Sequence, residues 1–274
     1  MIPAKFDYVR AGSLDEAIAL LVEHGDDAKL LAGGHSLLPL MKLRLAQPAL
    51  LVDIGPLREL SYVKEENGYV ALGALTRHHD IATSPVALAG SPVLAHVAGQ
   101  IGDPQVRHRG TIGGSIAHGD PASDLPAVLL ALGGTLVAQG PNGRREIDAK
   151  DFFLSFFEVA LSPEEVLVEV RVPFAPGGQW GFEKLTKRAQ DWAIVGAVAA
   201  RTPTGVGVAL INMGPVPLRS GAVEAAVASG ASAAQAAELA AEGTAPLADF
   251  NGSVAYREQV ARVLVRRALE RAGV

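Results

Sequence analysis

Two glycine pairs constrain this chain more than any other feature: Ala32-Gly33-Gly34-His35-Ser36 and Thr111-Ile112-Gly113-Gly114-Ser115. Each sets two successive residues without β-carbons beside hydroxyl or imidazole donors. Missing β-carbons let backbone N–H groups turn toward one point and let a ligand approach the main chain closely. Converging N–H groups form a nest that binds an anion such as phosphate without a charged side chain. Set 79 positions apart, counted from Ala32 to Thr111, two such loops can grip both phosphates of one dinucleotide from opposite sides. Gly-Gly also marks ordinary tight turns, and either loop alone is compatible with that; the matched pair favours a phosphate site. Neither loop carries the third glycine of the usual dinucleotide fingerprint, and no Gly-Lys-Ser/Thr triplet follows. A parallel-sheet nicotinamide domain and a nucleoside triphosphatase both lose ground.

Composition sets further bounds. A chain of 274 residues, 49% hydrophobic and 19% charged, can bury a large core and exceeds the usual single domain. No apolar run approaches the ~20 residues needed to span a bilayer, and Met1-Ile2-Pro3-Ala4-Lys5 opens without an apolar export signal. A cytoplasmic protein without a transmembrane segment is expected. The absence of cysteine excludes disulfides and a cysteine-ligated iron–sulfur cluster within the chain. A net charge of −5 without a basic block argues against nucleic acid as a partner. Any redox chemistry here falls to an organic cofactor.

Local patterns divide the chain at about residues 1–55, 56–174 and 175–274. In the first stretch Ser13 and Glu16 form a capping box, Leu14, Ala17, Ile18 and Leu21 share one helical face, and Gly25 suits the C-cap. Strands are expected at Lys29–Ala32, running into the first glycine pair, and at Ala49–Ile54. In the middle stretch Asn67-Gly68 and Pro141-Asn142-Gly143 signal two hairpins, with helices near 76–83, 92–100 and 124–130. That mixture predicts an α+β lobe with a largely antiparallel sheet and a ligand held between the two lobes. The last stretch reads as three strands (180–185, 193–200, 206–213) and then three helices near 221–229, 232–242 and 253–272. Arg262, Arg266 and Arg267 on the final helix read as a solvated face.

The segments AGGHSLLPLMKLRL at 32–45 and TIGGSIAHGDPASDLPA at 111–127 resemble the paired FAD-binding motifs of the medium subunits of the molybdenum hydroxylase (xanthine oxidase) family. The likeness is greatest to medium subunits of aerobic carbon monoxide dehydrogenase, and Met1-Ile2-Pro3…Phe6-Asp7-Tyr8 and Gly102–Arg107 share it. The resemblance covers essentially the whole chain. It implies a two-lobed PCMH-type FAD-binding domain, followed by a C-terminal domain of a three-stranded antiparallel sheet plus three helices. It assigns FAD contacts to Leu30, Leu31, Ala32, Gly33, Gly34, His35, Ser36 and Leu37 in the first segment. Thr111, Ile112, Gly113, Gly114 and Ser115 fill the same role in the second, their amides and hydroxyls meeting the same diphosphate. Asp124 matches an acidic contact able to accept from ribose hydroxyls or an adenine amine, and its place before an apolar run also suits a helix N-cap. Ile101 and Leu167 match apolar contacts, and Lys184 a lysine near the flavin. Asp191-Trp192-Ala193 resembles the element whose aromatic residue covers the isoalloxazine; Trp192 stands where tyrosine is usual, so stacking survives and a phenolic hydroxyl does not.

The resemblance further implies an iron–sulfur small subunit and a molybdopterin large subunit, assembled as a dimer of heterotrimers. Their [2Fe-2S] clusters and molybdenum cofactor would feed FAD on this chain, with quinone, oxygen or NAD as the external acceptor. Substrate oxidation would occur on another polypeptide; carbon monoxide is the first expectation, with purines, N-heterocycles and aldehydes open. Two alternatives stand beside this: a self-contained FAD-dependent oxidase, and a flavin-free structural subunit that only organises a complex. Rival chemistry is weak. His78-His79-Asp80 reads as an exposed polar turn, because adjacent histidines diverge and no third metal ligand is spaced to join them. His118 and Asp120 could touch ligand or fix their loop. Phe152, Phe153, Phe156 and Phe157 suit core packing or a contact surface for another subunit.

Overall fold

A computed structural model describes residues 2–274, whose strands form three main sheets. Strands β1 (Asp7–Arg10), β2 (Ala28–Leu31) and β3 (Leu50–Asp53) make a parallel sheet in the order β1-β3-β2. Central β3 is buried through Leu50, Leu51 and Val52, which is why its sequence is apolar without alternation. The helix Leu14–His24 begins where Ser13 Oγ accepts the Glu16 N–H at 3.1 Å. Glu16 reaches back to the Gly12 N–H at 2.7 Å rather than to Ser13 itself. Strand β1 has no sequence signature: Asp-Tyr-Val-Arg lacks an apolar face and stays mostly exposed. Backbone pairing with β3 recruits it, aided by the Tyr8 hydroxyl donating to Asp53 Oδ2 at 2.5 Å.

The second sheet is antiparallel throughout. It contains β4 (Val63–Glu66), β5 (Tyr69–Gly73), β6 (Thr135–Gly140) and β7 (Gly143–Asp148). The small hairpin of β8 (Phe153–Ser155) and β9 (Glu158–Val159) precedes β10 (Val166–Pro173), and the sheet order is β4-β5-β10-β6-β7. Asn67 and Gly68 both take positive φ, 51° and 79°, the geometry that makes Asn-Gly a tight hairpin turn. β10 knits the two hairpins together from far along the chain. Of the phenylalanines, Phe152 and Phe153 are buried in the core, whereas Phe156 and Phe157 stand exposed at the β8–β9 turn.

The helix Asp124–Leu132 is buried along all nine residues, because it lies between the second sheet and the third. That third sheet runs β11 (Trp180–Leu185), β12 (Val195–Thr202), β13 (Gly205–Ile211) and β14 (Leu218–Arg219), antiparallel in chain order. The three expected strands are thus joined by a two-residue edge strand. Val195, Ala197, Ala199, Val208 and Leu210 face a layer formed by the helices Gly221–Ala228, Ala233–Ala237 and Val254–Arg271. Alternate residues Val198, Ala200, Ala209 and Ile211 join the core around Asp124–Leu132. Period-two alternation therefore persists, but both faces are apolar and the strands read as continuous runs. Gly207 is needed where the helix crosses, since a β-carbon there would strike the Ala131 carbonyl oxygen. Among the described residues no helix is long and apolar enough to cross a membrane.

Candidate cofactor site

The first glycine pair follows the C-terminal end of β2 and opens the short helix Leu37–Lys42. Leu30 and Leu31 end the strand, and Leu37 starts the helix. Gly34 has φ +78, a left-handed conformation that a side chain disfavours. Gly33 is buried because the second lobe passes directly behind it: its β-carbon would overlap the Arg109 carbonyl oxygen and come within 2.9 Å of Gly110 Cα. The two glycine segments therefore meet, main chain against main chain, through Arg109-Gly110. Among the described residues, no hydrogen bond within the chain uses the N–H groups of Gly33, Gly34, His35 or Ser36. Such a run of unclaimed donors is what an anion requires.

The second pair is built differently. Thr111 is the N-cap of the helix Ile112–His118, so Gly113 and Gly114 lie in its first turn. The Ile112 and Gly113 N–H groups donate to the Thr76 and Ala74 carbonyls at 3.0 and 2.8 Å. Gly114 N–H donates to Thr111 Oγ1 at 3.1 Å, and Ser115 N–H to the Thr111 carbonyl at 3.0 Å. The expectation of a second open nest is therefore corrected: these amides serve the fold. Gly113 is glycine because Ala74 is packed against it, with its Cβ 2.5 Å from where a new β-carbon would sit. Gly114 is exposed and leaves main chain accessible beside half-buried Ser115.

The apolar residues lie along the same connections. Val168, next to Leu167 in β10, accepts the Ala74 N–H at 2.9 Å, which sets buried Leu167 close behind the second loop. Ile101 is half-buried against the same core, and its carbonyl accepts from Arg107 Nη1 at 3.0 Å. Arg77 donates to the Arg109 carbonyl and pins the segment that touches Gly33. Burial, then the nearby Arg109 charge, lower the Arg77 pKa. Arg77 thus brings one guanidinium group to the junction, with the Arg109 charge nearby.

Asp124 and Lys184 find each other. Lys184 Nζ lies 2.7 Å from Asp124 Oδ2, with the two side chains 11% and 5% exposed. Asp124 is the first residue of its helix and not the N-cap, a position that Ser123 holds, which corrects the N-cap expectation. Its carboxylate still lies at the positive end of the helix dipole. Burial pushes its pKa up, against the pull of Lys184. Among the described residues Asp124 Oδ1 is buried without a hydrogen-bond partner, leaving an acceptor for a ligand hydroxyl or amine.

Trp192 sits on the loop joining β11 to β12, flanked by half-buried Asp191 and buried Ala193, and is itself 58% exposed. The base of this loop is held from two sides. Asn212 Nδ2 donates to the Ala193 carbonyl at 2.8 Å while Asn212 N–H donates to Pro121, three residues before Asp124. Buried Arg257 donates to the Ile194 carbonyl at 2.5 Å and pairs with Asp249 at 2.8 Å. Sequence patterns carried no sign of Arg77, Asn212 or Arg257, because each acts on a backbone carbonyl distant in the chain. Another correction concerns His78: it is buried, not part of an exposed turn, whereas half-buried His79 stacks on His108 with ring centroids 4.0 Å apart and Asp80 is exposed. Two surface hollows of about 400 and 290 Å³ lie elsewhere and contain none of the expected site residues.

Unclaimed amides in the first loop, an accessible main chain at Gly114, and the orphaned Asp124 oxygen together fit a dinucleotide with a diphosphate and hydroxylated ribose. The class this fold and site define is a two-lobed flavin-binding protein with an appended C-terminal domain. Comparison with known proteins makes the class specific. Residues 4–175 match the FAD binding domain in molybdopterin dehydrogenase, and residues 180–272 match the CO dehydrogenase flavoprotein C-terminal domain. The chain belongs to this family of FAD-binding oxidoreductase subunits. It is 44% identical to the carbon monoxide dehydrogenase medium chain of Hydrogenophaga pseudoflava, covering 99% of this chain and 98% of that one. It is 40% identical to the alpha subunit of the 6-hydroxypseudooxynicotine dehydrogenase complex of Paenarthrobacter nicotinovorans, over 99% and 96% of the two chains. A solved structure of the Hydrogenophaga pseudoflava carbon monoxide dehydrogenase superposes with a TM-score of 0.94 at 45% identity, over 100% of this chain and 99% of that one.

Proposed function

We propose that this chain is the electron-transfer subunit of a three-subunit molybdenum hydroxylase, acting in the cytoplasm and organised as residues 1–55, 56–174 and 175–274. Bound FAD supplies one- and two-electron redox chemistry, which lets the subunit take electrons from [2Fe-2S] clusters of a small partner subunit and pass them to quinone, oxygen or NAD. The molybdenum cofactor and the substrate belong to a large subunit, the whole forming a dimer of heterotrimers. The observation that carries this proposal is the first loop: four unclaimed amides, backed by Arg109-Gly110 from the other lobe. Those amides receive phosphate oxygens, with exposed Gly114 and the Ser115 hydroxyl on the opposite side. Asp124 Oδ1 accepts from a ribose hydroxyl or the adenine amine, and Lys184 holds the other oxygen. Trp192 shields the isoalloxazine, and Ile101 and Leu167 line it. With no cysteine in the chain, the clusters must come from outside.

Carbon monoxide is the substrate we assign to the assembled enzyme, because the medium chain named for it is 44% identical. The test is anaerobic bleaching of flavin absorbance. FAD-loaded subunit alone is expected to be reduced by dithionite and to stay oxidised under carbon monoxide, purines or aldehydes. Adding the iron–sulfur and molybdenum subunits should allow carbon monoxide to bleach it. Bleaching of the lone chain by substrate would overturn the proposal in favour of a self-contained oxidase.

A further inference from the structure

His78 is a buried imidazole with no part in the site as described so far. It opens the helix His78–Thr83, is 4% exposed, and grips Gly110 twice. Its N–H donates to the Gly110 carbonyl at 3.1 Å. Its ring lies flush against the Gly110 α-carbon: a β-carbon there would stand 2.8 Å from Cδ2 and 2.9 Å from Nε2. Gly110 is also the residue that Gly33 touches from the first lobe, so the imidazole sits directly behind the junction of the two glycine loops.

The two ring nitrogens differ. Nδ1 is sealed and has no hydrogen-bond partner among the described residues. Among the described residues Nε2 likewise finds no partner, but it is not sealed, and it lies on the Gly110 side of the ring. Burial first, and then the charges of Arg77, His35 and Arg107, hold the pKa down at about 4. The ring is therefore uncharged at neutral pH, with a single N–H. Placing that proton on Nδ1 would bury an unmet donor, whereas placing it on Nε2 directs the donor toward the loops.

We propose that His78 is a positioning residue of the diphosphate cradle, holding Gly110 against Gly33 and offering an Nε2–H donor to the anion bound between the loops. This rests on the FAD-binding function proposed above. A donor without charge adds a hydrogen bond where arginines already crowd, and it avoids a further buried cation.

The experiment is FAD binding to the full chain, stripped of flavin and titrated, in wild type, His78→Phe and His78→Gln. Phenylalanine keeps the ring and removes both nitrogens; glutamine restores an N–H. His78→Phe is expected to keep its near-ultraviolet circular dichroism while weakening FAD binding roughly tenfold, about what one lost hydrogen bond supplies. His78→Gln should recover most of that loss. Should the phenylalanine variant not fold, His78→Leu gives the same comparison. Wild-type affinity in a nitrogen-free variant would overturn the proposal, as would a glutamine variant no better than phenylalanine. Wild-type protein that takes up no FAD would overturn the underlying function as well, and is distinguished by failing before any substitution.

Discussion

Removing Lys184 tests whether the second lobe and the C-terminal domain share an electrostatic joint. Lys184→Met keeps the length of the side chain and deletes its charge, leaving Asp124 alone in a site where it is 5% exposed. Its second oxygen already lacks a partner among the described residues, so none of them takes over. Breaking a buried pair in this way costs about 3–5 kcal/mol, because the surviving charge stays desolvated. An exposed pair would cost only about 0–1 kcal/mol. At roughly 2–4 °C per kcal/mol for a chain of this size, the melting point should fall on the order of 10 °C. The pH dependence supplies a second check. Burial already raises the Asp124 pKa despite Lys184, and losing the lysine raises it further. A raised carboxyl binds its proton more tightly folded than unfolded, so stability is regained as pH falls. The deficit should therefore shrink as pH falls toward the ordinary carboxyl range, and Asp124→Asn combined with Lys184→Met should recover most of it. The assay is urea unfolding of the flavin-free protein across that range. A loss below about 1 kcal/mol, or a deficit that does not shrink with acid, would refute the reasoning.

Gly34→Val forces a branched side chain into φ +78, with its β-carbon 2.9 Å from Leu38 Cδ1; flavin content should collapse while far-ultraviolet circular dichroism changes little. Gly114→Val should likewise lose flavin, here by covering the accessible main chain beside Ser115. Trp192→Ala should leave stability within about 0.5 kcal/mol, as expected at a site 58% exposed, yet alter flavin fluorescence and reoxidation by oxygen. For His78, a folded pKa of about 4 means that the unfolded chain takes up a proton first as pH drops. About 3 kcal/mol of stability should be lost between roughly pH 6.5 and pH 4. The urea midpoint of wild type should fall relative to that of His78→Phe over that interval, which separates this histidine from the other groups that titrate with it.

What the sequence determined by itself is local. Ser13 and Gly25 bracket one helix and Asn67-Gly68 closes one hairpin, because caps and turns depend on neighbours within four residues. Both glycine segments were legible for the same reason, since a missing β-carbon is written directly in the chain. Tertiary structure decided why each glycine is needed. Gly33 yields to Arg109-Gly110 and Gly113 to Ala74, so the first pair keeps its amides free and the second spends them on Thr76, Ala74 and Thr111. It also recruited β1, whose four residues carry no apolar pattern, through backbone pairing that any sequence can supply. Asp124 and Lys184, 60 residues apart, became a buried pair only when Asp124–Leu132 was enclosed between two sheets. Burial of His78 followed from the approach of Gly110. Charge pairing, desolvation and close main-chain contact depend on distance in space, and one chain position says nothing of which distant residue will arrive beside it.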